Sequence, residues 1–492
     1  MHNTAGRRFE TVDVDRREPL PEMPTATQTR TGANRAVIEV RDPQDGSLIE
    51  TVPAAGPDDL ERALERAVEG ARLARRMPAH ERISLLRRAA EIVEARGHAF
   101  AELIAREGVK TIREARTEVA RCVETLRLSA EEARRIAGQT IPFDQRPGSE
   151  RRVGYWVRQP VGVVAAITPF NDPLNLVAHK VGPAVAAGNA IVVKPHSATP
   201  LSALRLADAL HEAGLPPSIV QVLPGRGSEI GEALVGDPRV ALVTFTGGPE
   251  VGDRIVLAAG RKRLVLELGA NSPVIVLADA DLEAAAAAIV AGAFAAAGQN
   301  CLHVQRVIVE RPVAEQLRSL LVERAASVRY GDKRSEETDM GPLIDLAAAE
   351  RVAGVVADAV RRGGRLLVGG RRHGTFFEPT LVDGLPPGSR LARDEVFGPV
   401  TGIVAVDSID EAISIANGVQ QALQAAVFTN DLRTALRIVD ELDFGGVIVN
   451  DSTDYRIDAM PFGGVKGSGL GREGVPFAVQ EMTTTKVVAL TL

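Results

Sequence analysis

Between Val161 and Leu268 the chain repeats an alternation that few folds can accommodate. Short strand-like runs, VGVVAAI, AIVVK, IVQVL, ALVTF and LVLEL, are separated by the helix-like stretches LSALRLADALHEAG, SEIGEAL and PEVGDRIVLAAG. Strand then helix, repeated, predicts a parallel sheet of the doubly wound kind. A second series starts near Ser272 with VIVLA, an Ala-rich helix over 281–297, VQRVIVE and a helix over 312–328. It continues through VTGIVAV, AAVFTN and GGVIVN with helices between. The expected fold is therefore α/β, built from two doubly wound α/β domains.

Ahead of both series, apolar residues from Pro57 to Ile136 recur at helical spacing, as in LERALERAVEGARLARR, and predict several amphipathic helices. Pro142, Pro147 and Gly148 then break the pattern, and RRVGYWVRQP alternates like an exposed strand. Residues 1–35, rich in Thr, Arg and Pro and without periodicity, are expected to form a flexible extension. They contain no apolar stretch resembling a secretory signal, and Glu10, Asp13, Asp15, Glu18 and Glu22 suit a transit peptide poorly.

Composition narrows the function. A chain of 492 residues with 45% hydrophobic and 25% charged residues has the length for two or three domains and reads as an ordinary globular protein without a membrane span. A net charge of -6 and 3% aromatic residues supply neither the clustered Lys and Arg nor the stacking rings that nucleic acid needs. With only Cys122 and Cys301, no disulfide framework is expected, and a reducing cytoplasm is the expected location.

The two series meet around the stretch from Leu264 to Cys301. Glu267 closes LVLEL just before Gly269, which places it at the carboxyl end of a strand, where open parallel sheets keep their sites. Cys301 follows the small-residue run Ala284 to Gly298 and precedes VQRVIVE, so it falls at a joint. A thiol nucleophile and a carboxylate able to activate water suit covalent thioester chemistry. Taken alone, each residue has a plainer reading, as a buried small side chain and a surface charge. A Cys/His hydrolase using His303 competes, although residues two apart on a strand do not readily form a nucleophile and base pair. The glycines of FTGGPEVG lie between a strand and a helix, where the helix N-terminus favours a phosphate, but the pattern is not GxGxxG. No metal site is read.

The stretches TPFNDPLN (168–175), VVKPHSATP (192–200), FTGGPEVG (245–252), LELGAN (266–271), GQNC (298–301), EVFGPV (395–400) and PFGGVKGSGLGRE (461–473) occur in this order. Together they resemble the aldehyde dehydrogenase superfamily over nearly the whole chain from about Val37. The resemblance implies a dinucleotide-binding domain over 36–139 and 160–270 and a catalytic domain over 271–460. It also implies oligomerisation elements at 140–159 and 474–492, which form a small β excursion, in a homodimer or homotetramer.

By the same resemblance Cys301 is the nucleophile and Glu267 the base that activates water. Asn171 and the Cys301 N–H form an oxyanion hole, and Lys180 and Glu473 relay protons to and from Glu267. Cofactor contacts fall on Thr168, Pro169, Phe170, Lys194, Ser197, Gly227, Gly247, Gly248, Glu395 and Phe397. Among these, Lys194 meets the adenosine ribose, Gly247 and Gly248 the pyrophosphate, and Glu395 and Phe397 the nicotinamide half. Ser197 departs from the family pattern, which has glutamate there. A carboxylate would repel a 2′-phosphate, so serine makes NADP acceptable beside NAD.

The implied reaction is oxidation of an aldehyde to the acid through a thiohemiacetal and a thioester. A CoA-acylating enzyme and an inactive dinucleotide-binding subunit are the alternatives. Glu267 favours water over CoA, and the presence of Cys301, Glu267 and Asn171 favours activity. The C-terminal stretch TDYRIDAMPFGGVKGSGLGREG resembles the branch containing lactaldehyde, non-phosphorylating glyceraldehyde-3-phosphate and phosphonoacetaldehyde dehydrogenases. Arg113, Arg116 and Arg121 on one broad helix face, with Arg456, Asp172 and Leu302, are the substrate candidates. Guanidinium groups bind phosphonate, sulfonate, phosphate or carboxylate oxygens, so a small anionic aldehyde is expected.

Overall fold

The computed structural model describes residues 36–492, so the expected flexible extension over 1–35 lies outside the described residues. The first series forms a six-stranded sheet in the order Gly469–Leu470, Arg263–Glu267, Val240–Thr246, Val163–Ile167, Ala190–Lys194, Val220–Val222. All neighbours are parallel except Gly469–Leu470, which runs against Arg263–Glu267. Strand order reverses between Val163–Ile167 and Val240–Thr246, and the crevice beyond such a switch is where open α/β sheets bind ligands. The loops leaving those two strands are Thr168–Asn171 and Gly247–Gly248.

The second series forms a seven-stranded sheet in the order Arg365–Val368, Thr380–Asp383, Val400–Val406, Val304–Glu310, Ser272–Val276, Gln424–Phe428, Gly446–Val449. Only Arg365–Val368 is antiparallel. Both sheets are covered on both faces, as the side-chain period of two requires. Val164 and Ala166 join one buried cluster while Val163 and Ala165 join the cluster on the opposite face. In the second sheet Val274 and Val276 point one way and Ile275 the other.

A third, three-stranded antiparallel sheet pairs Thr483–Thr491 with Arg152–Pro160 and that strand with Gln139–Thr140. Within 474–492 the two halves differ. The helix Val475–Glu481 packs against Asn175–Ala187 and Ile112–Arg135 and buries Val479 in the core of the first sheet, while Thr483–Thr491 leaves it. A hairpin of Val37–Arg41 and Leu48–Pro53, which the helical and strand-helix periodicities passed over, precedes the helices.

Two helices are capped from a distance. The residues preceding Asn175–Ala187 and Leu201–Glu212 are Leu174 and Pro200, neither of which has a capping oxygen in its side chain. Glu118 instead accepts the Leu174 and Asn175 N–H groups at 2.8 and 3.0 Å. Glu107 likewise accepts those of Leu201 and Ser202 at 2.8 and 2.7 Å. Buried carboxylates thus satisfy N–H groups that the helices leave open.

The Ala-rich helix is shorter than expected. It runs Leu282–Phe294 and then breaks into the turn Ala295–Gly298. Helix propensity favours continuation through alanine, but Ala296, Ala297 and Gly298 take φ of 49°, 54° and 68°. Cys301 therefore sits in a turn, and the following strand begins at Val304.

Candidate active site

Cys301 is half-buried, and its Sγ lies 3.8 Å from the side-chain oxygen of Asn300. Burial pushes the thiol upward. The Arg456 charge opposes this, while Glu395, Glu267 and Glu473 reinforce it. A thiolate at Cys301 would therefore need added positive charge in the site. Cys122, the other cysteine, is fully buried and its thiol is pushed well up, so it is inert.

Glu267 ends its strand at 2% exposure, and neither carboxylate oxygen has a hydrogen-bond partner. Burial, and then the Glu473 charge, raise it well above the ordinary carboxylate range. An orphaned buried carboxyl is costly unless it serves a reacting molecule, and a raised value suits a general base near neutral pH.

The pair expected behind it is present. Lys180 donates to Glu473 at 2.6 Å, to Thr246 Oγ1 at 2.8 Å and to Thr244 Oγ1 at 3.1 Å, so all three ammonium hydrogens are used. Glu473 also lies 3.3 Å from Arg456. Burial alone would raise Glu473, but Lys180 and Arg456 outweigh it and hold it down to about 2. The segment that carries Glu473 returns to the first sheet through Phe462 and Gly469–Leu470, which pair with Glu473 and with Arg263–Glu267.

Asn171, 8% exposed, follows the strand Val163–Ile167, and its amide has no partner among the described residues. Thr168 donates its N–H to Lys194 at 3.2 Å, which ties this loop to the end of the neighbouring strand. Beyond Pro169, the Phe170 ring meets His196 and Phe397 edge-on at 5.3 and 5.8 Å. A cavity of about 320 Å³ opens there, lined by Phe170, Phe397, Gln299, Asp345 and Arg351 among others. Phe397 has φ 43°, and Arg351 holds its carbonyl at 3.2 Å. Glu395 accepts the Ala270 N–H at 3.0 Å, and burial raises it to about 7.

The cofactor candidates at the other end also fit a dinucleotide. Lys194 donates only to Pro195 O at 3.0 Å, has no carboxylate partner, and is lowered to about 8 by burial. Gly227 lies against it, with its would-be Cβ 3.8 Å from Lys194 Cε, and Ser197 stands three residues further along the chain, half-buried. Gly248 caps the helix Pro249–Ala259; Pro249 has no N–H and those of Val251 and Gly252 bond to Gly248 O at 3.2 and 3.1 Å, so the Glu250 N–H is the one this terminus offers an anion.

The substrate candidates divide. Arg113 and Arg116 are bound at the surface by Asp339 at 2.6 Å and Glu336 at 2.5 Å, remote acids that make them a salt-bridged face. Arg121 pairs with Asp458 at 2.7 Å, and Asp458 also holds His179 at 2.8 Å. Asp172 pairs with Lys110. Arg456, with a side chain 7% exposed, stacks on Phe462 at 3.7 Å, pairs with Glu473, and keeps an orphaned Nε. It therefore stands beside Glu473 and Glu267 rather than waiting free. Leu302 is buried beside Cys301, and its N–H is accepted by Asn300 Oδ1 at 3.0 Å.

Several contributors were missed in the sequence. Asn300 donates to Asp454, and Thr453 donates to Leu302 O at 2.6 Å, so the segment around 453–456 is fastened to the Cys301 turn. Burial raises Asp454 to about 6. Lys110, Arg351, Asp345 and Asp454 belong to no short motif, and only the fold brings them in. His303 is buried, is lowered to about 3 and has an unpartnered Nε2, so it offers Cys301 no base. Among the described residues no group of three His, Cys, Asp or Glu side chains could hold a metal ion, and no helix is long and apolar enough to cross a membrane.

A model of the aldehyde dehydrogenase family matches residues 29–488. The chain belongs to the aldehyde dehydrogenase family. It is 47% identical to aspartate-semialdehyde dehydrogenase 1 of Pseudomonas canavaninivorans, over 92% of this chain and 96% of that protein. It is 46% identical to 3-sulfolactaldehyde dehydrogenase of Priestia megaterium, over 90% of this chain and 92% of that protein. The aldehyde dehydrogenase fold is shared with the solved glyceraldehyde-3-phosphate dehydrogenase GapN of Methanocaldococcus jannaschii complexed with NADP. That structure is 37% identical, with a TM-score of 0.89 over 94% of this chain and all of that one.

Proposed function

We propose that this chain oxidises a small anionic aldehyde to its carboxylic acid, with NADP or NAD as acceptor, through covalent chemistry on Cys301. The observation that carries the reading is Glu267, a buried carboxylate with no partner at the end of its strand, in the cluster where Arg456 and Glu473 bear on Cys301.

The Cys301 thiol loses its proton to solvent water, the thiolate Sγ adds to the aldehyde carbon, and the oxygen takes the negative charge. The unpartnered Asn171 amide is suited to donate to that oxygen together with the Cys301 N–H. Lys194 and Ser197 would hold the adenosine end of a nicotinamide dinucleotide and Gly247 and Gly248 its phosphates, and that cofactor would supply the hydride acceptor. Loss of hydride leaves a thioester on Cys301. Glu267 takes a proton from water, hydroxide adds to the thioester carbon, and the acid leaves as Sγ departs. Lys180 and Glu473 keep a fixed charge pair behind Glu267, whose proton passes to solvent water. The balance is aldehyde, oxidised cofactor and water to acid, reduced cofactor and a proton.

An anionic substrate is supported by relatives named for 3-sulfolactaldehyde and aspartate semialdehyde, and an anion would have to compete with Glu118, Asp458 and Glu473 for Lys110, Arg121 and Arg456. In this reading the first sheet holds the dinucleotide and the second carries the nucleophile. The sheet of Arg152–Pro160 and Thr483–Thr491, with Val153, Tyr155, Val487 and Leu490 exposed, joins subunits into a homodimer or homotetramer. The free thiol fits a cytoplasmic setting.

The test follows absorbance at 340 nm with each cofactor and with a carboxylated, a sulfonated and a neutral aldehyde of similar size. Reduction of cofactor with kcat/KM about tenfold or more higher for an anionic aldehyde is expected, a difference of about 1.4 kcal/mol. Absence of reduction with every aldehyde would refute the activity, and equal kcat/KM would refute the anion preference.

A further inference from the structure

Glu114 belongs to the helix first read for its arginines, yet its own carboxylate reaches the nucleophile's turn. One oxygen, Oε2, is fixed at the start of Ile112–Arg135, where it accepts the Thr111 N–H at 2.8 Å and the Thr111 hydroxyl at 2.9 Å. The other, Oε1, accepts the Ala296 N–H at 2.7 Å. Ala296 is the first residue of the left-handed stretch Ala296, Ala297, Gly298. Residues with a Cβ enter that region singly and under constraint, and two adjacent alanines persist there only if the surroundings over-determine them.

The surroundings do so at Ala296. Its N–H is held by Glu114, and its carbonyl accepts both the N–H and the side-chain amide of Gln299, at 3.1 and 3.0 Å. Gln299 is itself fixed by Pro342 O at 3.2 Å and the Ile344 N–H at 2.9 Å. Gly298 closes the stretch against the 395–400 loop, where a Cβ would fall 2.2 Å from Gly398 O. Without the Glu114 acceptor the Ala296 N–H is unsatisfied, and the alanines are drawn back toward the right-handed helix that precedes them. That relaxation would redirect Asn300 and Cys301.

We infer that Glu114 is a positioning residue for Cys301, acting through the Ala296 N–H to hold the left-handed turn that aims the thiol. The inference rests on the proposed role of Cys301 as nucleophile, but its physical core is the conformation of the turn.

The test measures, for wild type, Glu114→Ala, Glu114→Gln and Glu114→Ala/Ala296→Gly, four quantities: kcat, cofactor affinity, thermal midpoint and the rate of Cys301 alkylation by iodoacetamide. Glu114→Ala should lower kcat about tenfold or more and change the alkylation rate in parallel, with cofactor affinity within about twofold. Glu114→Gln keeps an acceptor and should lose less. Adding Ala296→Gly, which enters the left-handed region without a Cβ penalty, should recover several-fold of both rates. If Glu114→Ala changes only the thermal midpoint, or if the glycine recovers nothing, the positioning role is refuted. If Glu114→Ala does not fold, Glu114→Gln with and without Ala296→Gly decides by the same comparison. Wild-type turnover by Cys301→Ala would overturn the nucleophile instead, and the alkylation rates would still report on the turn.

Discussion

Replacing Lys180 by Met tests the buried pair behind Glu267. Lys180 is 1% exposed and uses all three hydrogens inside the protein, and Glu473 is held down to about 2 from an ordinary value of 4.5. Lys180 is the largest influence holding Glu473 down against burial, and stranding one member of a buried pair costs about 3 kcal/mol, a contribution present at neutral pH. Because the folded value is depressed, the contribution is complete above about pH 4.5 and is lost as pH falls toward 2. Guanidinium denaturation at pH 7.5 and fixed protein concentration should show Lys180→Met destabilised by about 3 kcal/mol. The double variant Lys180→Met/Glu473→Gln should recover more than half, because no charge remains stranded. A loss below about 0.5 kcal/mol, or a double variant that loses the sum of the singles, would refute the coupling.

Two further outcomes follow from the same geometry. Ser197→Glu places a carboxylate three residues beyond Lys194 in the chain, and at an effective dielectric of about 20 it should repel a 2′-phosphate by a few kcal/mol. The KM for NADP should then rise about a hundredfold while that for NAD changes little, and equal shifts would show that Ser197 does not face the ribose. Arg456→Leu removes the cation that most opposes the rise of the Cys301 thiol, so kcat should fall about tenfold for a neutral aldehyde and further for an anionic one. An unchanged neutral rate would confine Arg456 to substrate charge.

What the sequence disclosed depends on how local the cause was. Strands such as AIVVK and VQRVIVE and the helices between them are written in short-range periodicity, and both recur in the fold. Glu267 and Lys194 were placed at strand ends by the same periodicity, and the structure puts them there. The turn at Ala296 was not legible, because alanine favours helix and the opposing contact comes from Glu114, far away in the chain. Arg113 and Arg116 were placed on the right helix, but their partners Asp339 and Glu336 are remote in sequence. The short hairpin at Val37–Arg41 and Leu48–Pro53 carries DG at its turn and could have been found from that signal.

The central claim is that Cys301 carries an acyl group that Glu267 releases with water. Rapid mixing of Glu267→Gln with NADP and an aldehyde it oxidises, followed at 340 nm and by mass spectrometry of the Cys301 peptide, tests it directly. The account predicts a burst of reduced cofactor of about one equivalent per site, then near arrest, with an acyl-sized mass on Cys301 and no burst from Cys301→Ala. Steady turnover by Glu267→Gln with no adduct on Cys301 would contradict it.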